Sequence, residues 1–290
     1  MAEDDQKITV LNIVSVSFSG STWVNLMLGA HEAAFSVGEM YWIFRNKAAL
    51  CGLHGEDCPI WSQYDVDSDE NPFVQISNIT GKKILIVNNS QEVAWALDDP
   101  RIDAKYLWVI RDGRAVAASA MRKDTSRNIF SGAEFWKVRF LACEKRIAQV
   151  PQEKVMKLGY EACVADPAAK MTQVCKFLGI DFDPGMIDYD NKERHFIGGN
   201  LGVLSVLASQ QKSDKLHALT PEAGRLNLDI TKDNVKGNDT FDLSHYKKTD
   251  NKHFVDERWK TQLSFIELCM FGWKAGKLNR AYGYSRSTKR

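Results

Sequence analysis

Four short apolar runs, each closed by small or polar residues, constrain this chain more than any other feature. The first, Ile8 to Phe18, is interrupted by Thr9, Asn12, Ser15 and Ser17. It gives way at Gly20-Ser21-Thr22 to a segment from Trp23 to His31 whose Val24, Leu26, Met27 and Leu28 suit a helix. Lys83 to Val87 is a second run with β-branched character, followed by the loop signal Asn88-Asn89-Ser90. Tyr106 to Ile110 leads through Arg111-Asp112-Gly113-Arg114 into an Ala-rich helix ending near Met121, and Val155 to Leu158 ends at Gly159-Tyr160-Glu161. Strands alternating with helical segments predict an α/β fold: a three-layer α/β/α arrangement on a central parallel sheet, with a P-loop-like loop after the first strand.

At 290 residues the chain is long for one domain but ordinary for an α/β unit, so a single domain over 1–290 is expected. Apolar residues make up 44% and charged residues 26%, enough for a substantial core. Lys plus Arg (38) nearly cancel Asp plus Glu (37), which removes a whole-surface electrostatic case for nucleic acid or an anionic membrane. An anionic ligand therefore needs a local basic pocket. No stretch has the ~18 consecutive apolar residues of a membrane span, and the first run reads as a buried strand, not a signal peptide. A cytoplasmic location is the resulting expectation.

The six cysteines mostly sit among apolar residues and are expected as reduced thiols. Cys51, His54 and Cys58 suggest a metal, but neither a fourth ligand nor CxxC-type spacing is evident, so no metal is expected. The insert Cys51 to Trp61 and the acidic loop Asp65 to Asn71 read as surface. Glu134 to Gln149 has helical spacing, and Arg258 to Tyr282 returns to helix with an aromatic face. Residues 209 to 255 are polar with scattered Gly, Asn, Asp and Lys, which predicts a mobile excursion or lid.

The loop Ser17-Phe18-Ser19-Gly20-Ser21-Thr22-Trp23 joins a strand to a helix, where backbone N–H groups and the positive helix end converge. It reads equally as an anion site or as an ordinary Ser/Thr helix cap. The GxxxxGK[ST] pattern is absent, which weakens an ATP-hydrolysing reading. Arg111 closes the third strand and Ser119 follows eight residues later, so the two can grip a phosphate together; read separately, they are a surface arginine and a helix-interior serine.

In order and spacing, SFSGSTWVNLMLGAHE, YLWVIRDGRAVAASAMRK and KLGYEACVADP resemble the superfamily of sulfotransferases dependent on 3′-phosphoadenosine 5′-phosphosulfate (PAPS), particularly its bacterial-type branch. VGEMYW, LCGLHGEDCPIW, HFIGGN at 195–200 and the terminal RW…AYGY stretch extend the resemblance over most of the chain. It implies sulfuryl transfer from PAPS to a hydroxyl or amine of a small-molecule acceptor, releasing adenosine 3′,5′-bisphosphate and requiring no metal. It also implies that Ser19, Gly20, Ser21, Thr22 and Trp23 hold the 5′-phosphosulfate, that Arg111 and Ser119 hold the 3′-phosphate, and that Tyr160 lies against the adenine. Gly199 and Asn200 of HFIGGN would belong to the nucleotide pocket.

The resemblance extends to the Gly-Glu pair after the first helix and so implies that Glu39 is the catalytic base, a role burial favours by raising a carboxyl pKa toward neutrality. The competing reading pairs Glu39 with Arg45 or another cation; His31 and His195 are the runner-up bases.

Two departures from the family pattern stand out. Phe18 occupies the position of a Lys or Arg that stabilises the leaving phosphate, and Gln91 replaces another expected lysine. Losing one such donor typically costs ~2.7–4 kcal/mol of transition-state stabilisation. Arg45, Lys82, Lys83, Arg114, Arg122 and Lys123 are the candidates to compensate. The alternative function is therefore a catalytically impaired PAPS-binding protein with a binding or regulatory role. Tyr41, Trp42, Phe44, Trp95, Phe135 and Trp136 are the candidate aromatic lining for the acceptor and read equally as core residues; the sequence leaves the oligomeric state open.

Overall fold

The computed structural model describes residues 7–88, 91–123, 125–189, 192–210, 215–220, 224–229, 234–236, 240–242 and 256–285. In chain order these form β1 (Ile8–Ser15), α1 (Ser21–Leu28), β2 (Ala34–Gly38), α2 (Tyr41–Asn46), α3 (Pro72–Thr80), β3 (Ile84–Asn88), β4 (Ile102–Ile110), α4 (Gly113–Arg122), α5 (Ile129–Ile147), β5 (Val155–Gly159), α6 (Tyr160–Ala165), α7 (Pro167–Leu178) and α8 (Leu201–Gln210). Strands β6 (Lys215–Thr220), β7 (Gly224–Asp229), β8 (Asn234–Lys236) and β9 (Thr240–Asp242) follow, then α9 (Trp259–Gln262) and α10 (Phe265–Ala281).

β1 to β5 make one parallel sheet in the order β2-β3-β1-β4-β5, flanked by helices, as the alternation of runs predicts. β1 and β3 pair in register from Thr9 opposite Ile84 to Ile13 opposite Asn88. Every residue of β3, and every residue of β1 except Thr9, is buried. Continuous burial without alternation is what helices on both faces impose on a parallel sheet. No helix among the described residues is long and apolar enough to cross a membrane.

By internal contacts the chain divides into two compact units. The first comprises residues 1–13, 22–106 and 171–252, and the second 14–21, 107–170 and 253–290. Within the first, β2 pairs with β3 from Ala34 opposite Ile84 to Gly38 opposite Val87, with an irregularity between Ser36 and Gly38. The side-chain chain Ser36–Asn25–Asn88 satisfies buried amides at this end of the strands, Asn25 Nδ2 lying 3.1 Å from Asn88 Oδ1. In the second unit, α4, α5 and α10 pack around Trp136, Phe140 and Phe271. Both long helices begin with reciprocal capping boxes, Asn128 with Ser131 and Ser264 with Glu267.

Several boundaries differ from the sequence reading. β1 stops at Ser15, three residues before Phe18, because the backbone turns there. The short strand β2 and helix α8 are additional to the elements expected from sequence. The insert expected at the surface is largely interior: Cys51 and Cys58 are fully buried, with Leu53 and Trp61 at 6% and 2% exposure. Of the 209–255 excursion, Ser209 and Gln210 end α8 and part forms two antiparallel ribbons, β6 with β7 and β8 with β9; the rest lies outside the described residues. Asn89 and Ser90 also lie outside them, so the loop bearing Gln91 is only partly described.

Candidate active site

In the second unit the chain leaves β1 through two left-handed residues, Phe18 (φ 69°) and Gly20 (φ 86°). For a bulky side chain this conformation costs roughly 1–3 kcal/mol and persists only where neighbours over-determine it. They do so at Phe18: its ring packs on Phe135, centroids 6.0 Å apart, and its carbonyl accepts a 2.8 Å hydrogen bond from Arg111 Nη1. Phe18 thus places an aromatic ring, not a cation, at the position where a basic residue was expected. Gly20 is required for a second reason, since a Cβ there would fall 2.5 Å from the Tyr160 ring.

Arg111, at the end of β4, is 5% exposed. Besides Phe18, it donates from Nη2 to the Asp256 carbonyl at 2.8 Å, pairs with the Asp256 carboxylate at 3.3 Å, and lies 4.4 Å above the Tyr160 ring centroid. Its buried Nε has no hydrogen-bond partner among the described residues. Arg122 joins the same carboxylate at 3.1 Å while its Nη2 also donates 2.7 Å to Ser119 Oγ. Arg258 adds bonds of 2.7 and 3.1 Å. Three guanidinium groups therefore converge on one carboxylate, with Ser119 Oγ accepting from one of them, an arrangement suited to an anion with more than one charge. Burial alone would raise the Asp256 pKa, but the Arg258 hydrogen bond and the charges of Arg111, Arg258 and Arg122 hold it well below the usual carboxylate range.

Beside this cluster is a cleft of ≈ 370 Å³ whose lining includes Tyr160, Arg114, Asp256, Trp259 and Tyr284. Arg114 does not supply a spare cation: it forks onto Asp112, 2.6 Å from Nη2 to Oδ2, and stacks 4.3 Å over Trp259. Burial pushes the Tyr160 hydroxyl up to about 12, so its ring is a neutral platform.

The first unit holds Glu39. Gly38 precedes it with φ 80°, and a Cβ at Gly38 would lie 2.2 Å from the Ile197 carbonyl, so only glycine lets β2 close against residues 195–200. The Glu39 N–H donates to that carbonyl at 2.6 Å. Its carboxylate accepts from Trp42 Nε1 at 3.0 Å and from the Gly199 N–H. Burial raises its pKa above 4.5, and the Trp42 and Gly199 donors oppose this only in part. Arg45 is exposed and lies over the Trp42 ring, 5.8 Å from its centroid, instead of pairing with Glu39. Thr22 Oγ1 accepts from the Asn200 N–H at 3.1 Å, joining the start of α1 to Gly199 and Asn200, while Asn200 Oδ1 caps α8. Trp23 is buried at 1%.

Of the runner-up bases, His31 has both ring nitrogens engaged, accepting from the Ala33 N–H at 3.0 Å and facing the Asp181 carbonyl at 3.0 Å. His195 lies with Cys58 and His54, not with Glu39. The missing fourth ligand of the Cys51 insert is therefore present, a correction that no local spacing predicts.

The aromatic set divides. Phe44 and Trp95 are exposed at 38% and 58% and meet edge-on, Tyr41 stacks near Trp42, and Trp136 is a core residue at 1%. Among the proposed compensating cations, Lys82 is held by the Glu32 carbonyl at 2.5 Å, and Arg122 joins the Arg111 cluster. Arg122 lies three residues after Ser119 on one helix face, a legible spacing. Asp256 and Arg258 had no such signal.

Residues 103–184 match the family model described as the sulfotransferase family; Arg111, Ser119 and Tyr160 fall inside that segment. The matched segment is similar to the sulfotransferase family, and the fold is that of solved sulfotransferase domains. The chain aligns with the sulfotransferase domain of the curacin biosynthetic pathway over 93% of its own length and 97% of that domain, with a TM-score of 0.54 at 17% identity. With the sulfotransferase domain of the Synechococcus PCC 7002 olefin synthase the shares are 67% and 82%, the TM-score 0.51 and the identity 19%. In sequence it is 26% identical over 140 residues to protein-tyrosine sulfotransferase A of Caenorhabditis elegans, a match covering 45% of this chain and 36% of that relative.

Proposed function

We propose that this protein is a PAPS-dependent sulfotransferase acting on a hydroxyl or amine of a small-molecule acceptor. The observation that carries the reading is the convergence of Arg111, Arg122 and Arg258 on a single anionic position, with Ser119 bonded to Arg122 and the Arg111 Nε–H without a partner among the described residues. A 3′-phosphate, with more oxygens and charge than the Asp256 carboxylate, satisfies these donors better. Tyr160 offers the adenine a flat, neutral face, and Ser19 to Trp23 receive the 5′-phosphosulfate at the start of α1.

Glu39 takes the acceptor proton as the acceptor oxygen or nitrogen forms its bond to sulfur. The bond from sulfur to the 5′-phosphate oxygen breaks, and its electron pair leaves with adenosine 3′,5′-bisphosphate. A carboxylate with a raised pKa and no cationic partner is a stronger base than a salt-bridged one. Much of the acceleration comes from holding the reactants in line.

Phe18 favours a second reading, a nucleotide-binding relative with impaired turnover, because the leaving phosphate loses its usual basic neighbour. Incubation with labelled PAPS and a panel of phenol, alcohol and amine acceptors, beside calorimetry with adenosine 3′,5′-bisphosphate, separates the two. Transfer to any acceptor establishes the enzyme; nucleotide binding with no transfer establishes the impaired form. No nucleotide binding at all would overturn both.

A further inference from the structure

We infer that Cys51, His54, Cys58 and His195 form a structural zinc site. Their four ligand atoms all lie within 4.8 Å of one another, although His195 comes from 137 residues beyond Cys58. The sulfur-to-imidazole separations are 3.4 Å for Cys51 Sγ to His54 Nδ1 and 3.3 Å for Cys58 Sγ to His195 Nδ1. Around a tetrahedral zinc with Zn–S ~2.3 Å and Zn–N ~2.0–2.1 Å, such an edge is about 3.5 Å. No pair is more than 4.8 Å apart, so a closure of about 1 Å or a little more brings the set onto the ~3.3–3.8 Å edges of the same polyhedron.

The surroundings are those a metal-bound thiolate and imidazole need. The backbone N–H groups of Leu53 and His54 face Cys51 Sγ, and those of Ile60 and Trp61 face Cys58 Sγ, the same two- and three-residue spacing at both cysteines. Both histidines turn Nδ1 toward sulfur and Nε2 toward one carboxylate, Glu193, at 3.6 and 3.7 Å. A carboxylate behind a ligating imidazole fixes its orientation and tautomer and strengthens it as a ligand. Two thiolates and two imidazoles suit zinc, and four protein ligands leave no open position, which makes the site structural and not catalytic.

Its place in the fold gives the metal a task. Gly52 N donates to the Phe196 carbonyl at 2.8 Å, and the next carbonyl, Ile197, receives the Glu39 N–H at 2.6 Å. Pinning the 51–58 insert to His195 therefore braces the segment that contacts Glu39. The inference stands whether or not the chain transfers sulfuryl groups.

The test uses the full-length chain, purified with reductant and reconstituted with zinc chloride. Elemental analysis should give one zinc per chain after dialysis, and cobalt(II) exchange should give the visible ligand-field bands of a tetrahedral site with thiolate charge transfer in the near ultraviolet. Cys58→Ser and His195→Ala should lose that spectrum, whereas Cys269→Ser, an exposed cysteine, should keep it. Should the ligand variants fail to fold, wild-type cobalt spectra and Glu193→Gln, expected to bind zinc roughly 10–100-fold more weakly, carry the test. Zinc far below one equivalent with Cys51 and Cys58 still reactive, a Cys51–Cys58 disulfide persisting under reductant, or stoichiometric zinc in His195→Ala would each overturn the assignment.

Discussion

Asp256 and Glu39 are both carboxylates largely withdrawn from water, and their protons are governed in opposite directions. Burial would raise each. At Asp256 the guanidinium groups of Arg258, Arg111 and Arg122 reverse that tendency and keep the group ionised. At Glu39 the neighbours are neutral N–H donors, Trp42 and Gly199, which are too weak to cancel desolvation, so the pKa stays raised. The contrast shows that burial alone does not make a base; burial without a cation does. A carboxylate amid three arginines marks where an anion is welcome, and one among indole and peptide N–H groups marks where a proton can be taken.

The largest effect that tests this contrast is on turnover. Glu39→Gln should lower sulfuryl transfer by about 10²–10⁴-fold while calorimetry finds adenosine 3′,5′-bisphosphate affinity nearly unchanged; undiminished transfer would remove Glu39 as the base. Arg111→Ala should do the reverse, weakening that nucleotide by roughly 10–100-fold through loss of charge-assisted hydrogen bonds worth about 1.5–3 kcal/mol. An unaltered dissociation constant would detach the arginine cluster from nucleotide binding.

A smaller effect follows at Asp256. Removing its charge by Asp256→Asn should tighten adenosine 3′,5′-bisphosphate several-fold, because the phosphate no longer competes with a resident anion. Weaker binding would show that Asp256 organises the arginines instead of standing in for the ligand.

The smallest effects are on stability, and they have opposite signs. The folded pKa of Asp256 is depressed, so its stabilisation is present above the unfolded value of ~3.9 and is lost as pH falls through the folded one. Asp256→Asn should therefore melt lower than wild type at pH 7. Glu39 has a raised folded pKa, so its ionisation destabilises the fold as pH climbs from ~4.3 through the folded value. Glu39→Gln should melt slightly higher at pH 7, with the gap closing below ~pH 4. Thermal melts across pH that shift both variants the same way would contradict the contrast. The acid limb of the transfer rate should likewise have its midpoint above the ordinary carboxylate value of 4.5.

The parallel α/β arrangement and the loop after β1 were legible because each depends on neighbours in sequence: apolar runs, helix spacing, a turn needing Gly20. The irregular β2 was not, since only pairing with β3 defines it. Composition leaves Trp136 open between core and pocket and puts the Cys51–Trp61 insert at the surface, because it records what a residue is, not what covers it. Trp136 is walled by Phe140 and Phe271.

By itself, then, the sequence determined a parallel α/β chain and a set of phosphate-binding and acid–base candidates, because periodicity and turn chemistry act over a few residues. Tertiary structure alone decided which charges meet. It brought Arg258 and Asp256 to Arg111 from 145 or more residues away, set Glu39 apart from Arg45, and carried His195 to Cys58. Electrostatics and metal ligation depend on distances of a few ångströms in space, and those distances bear no relation to separation along the chain.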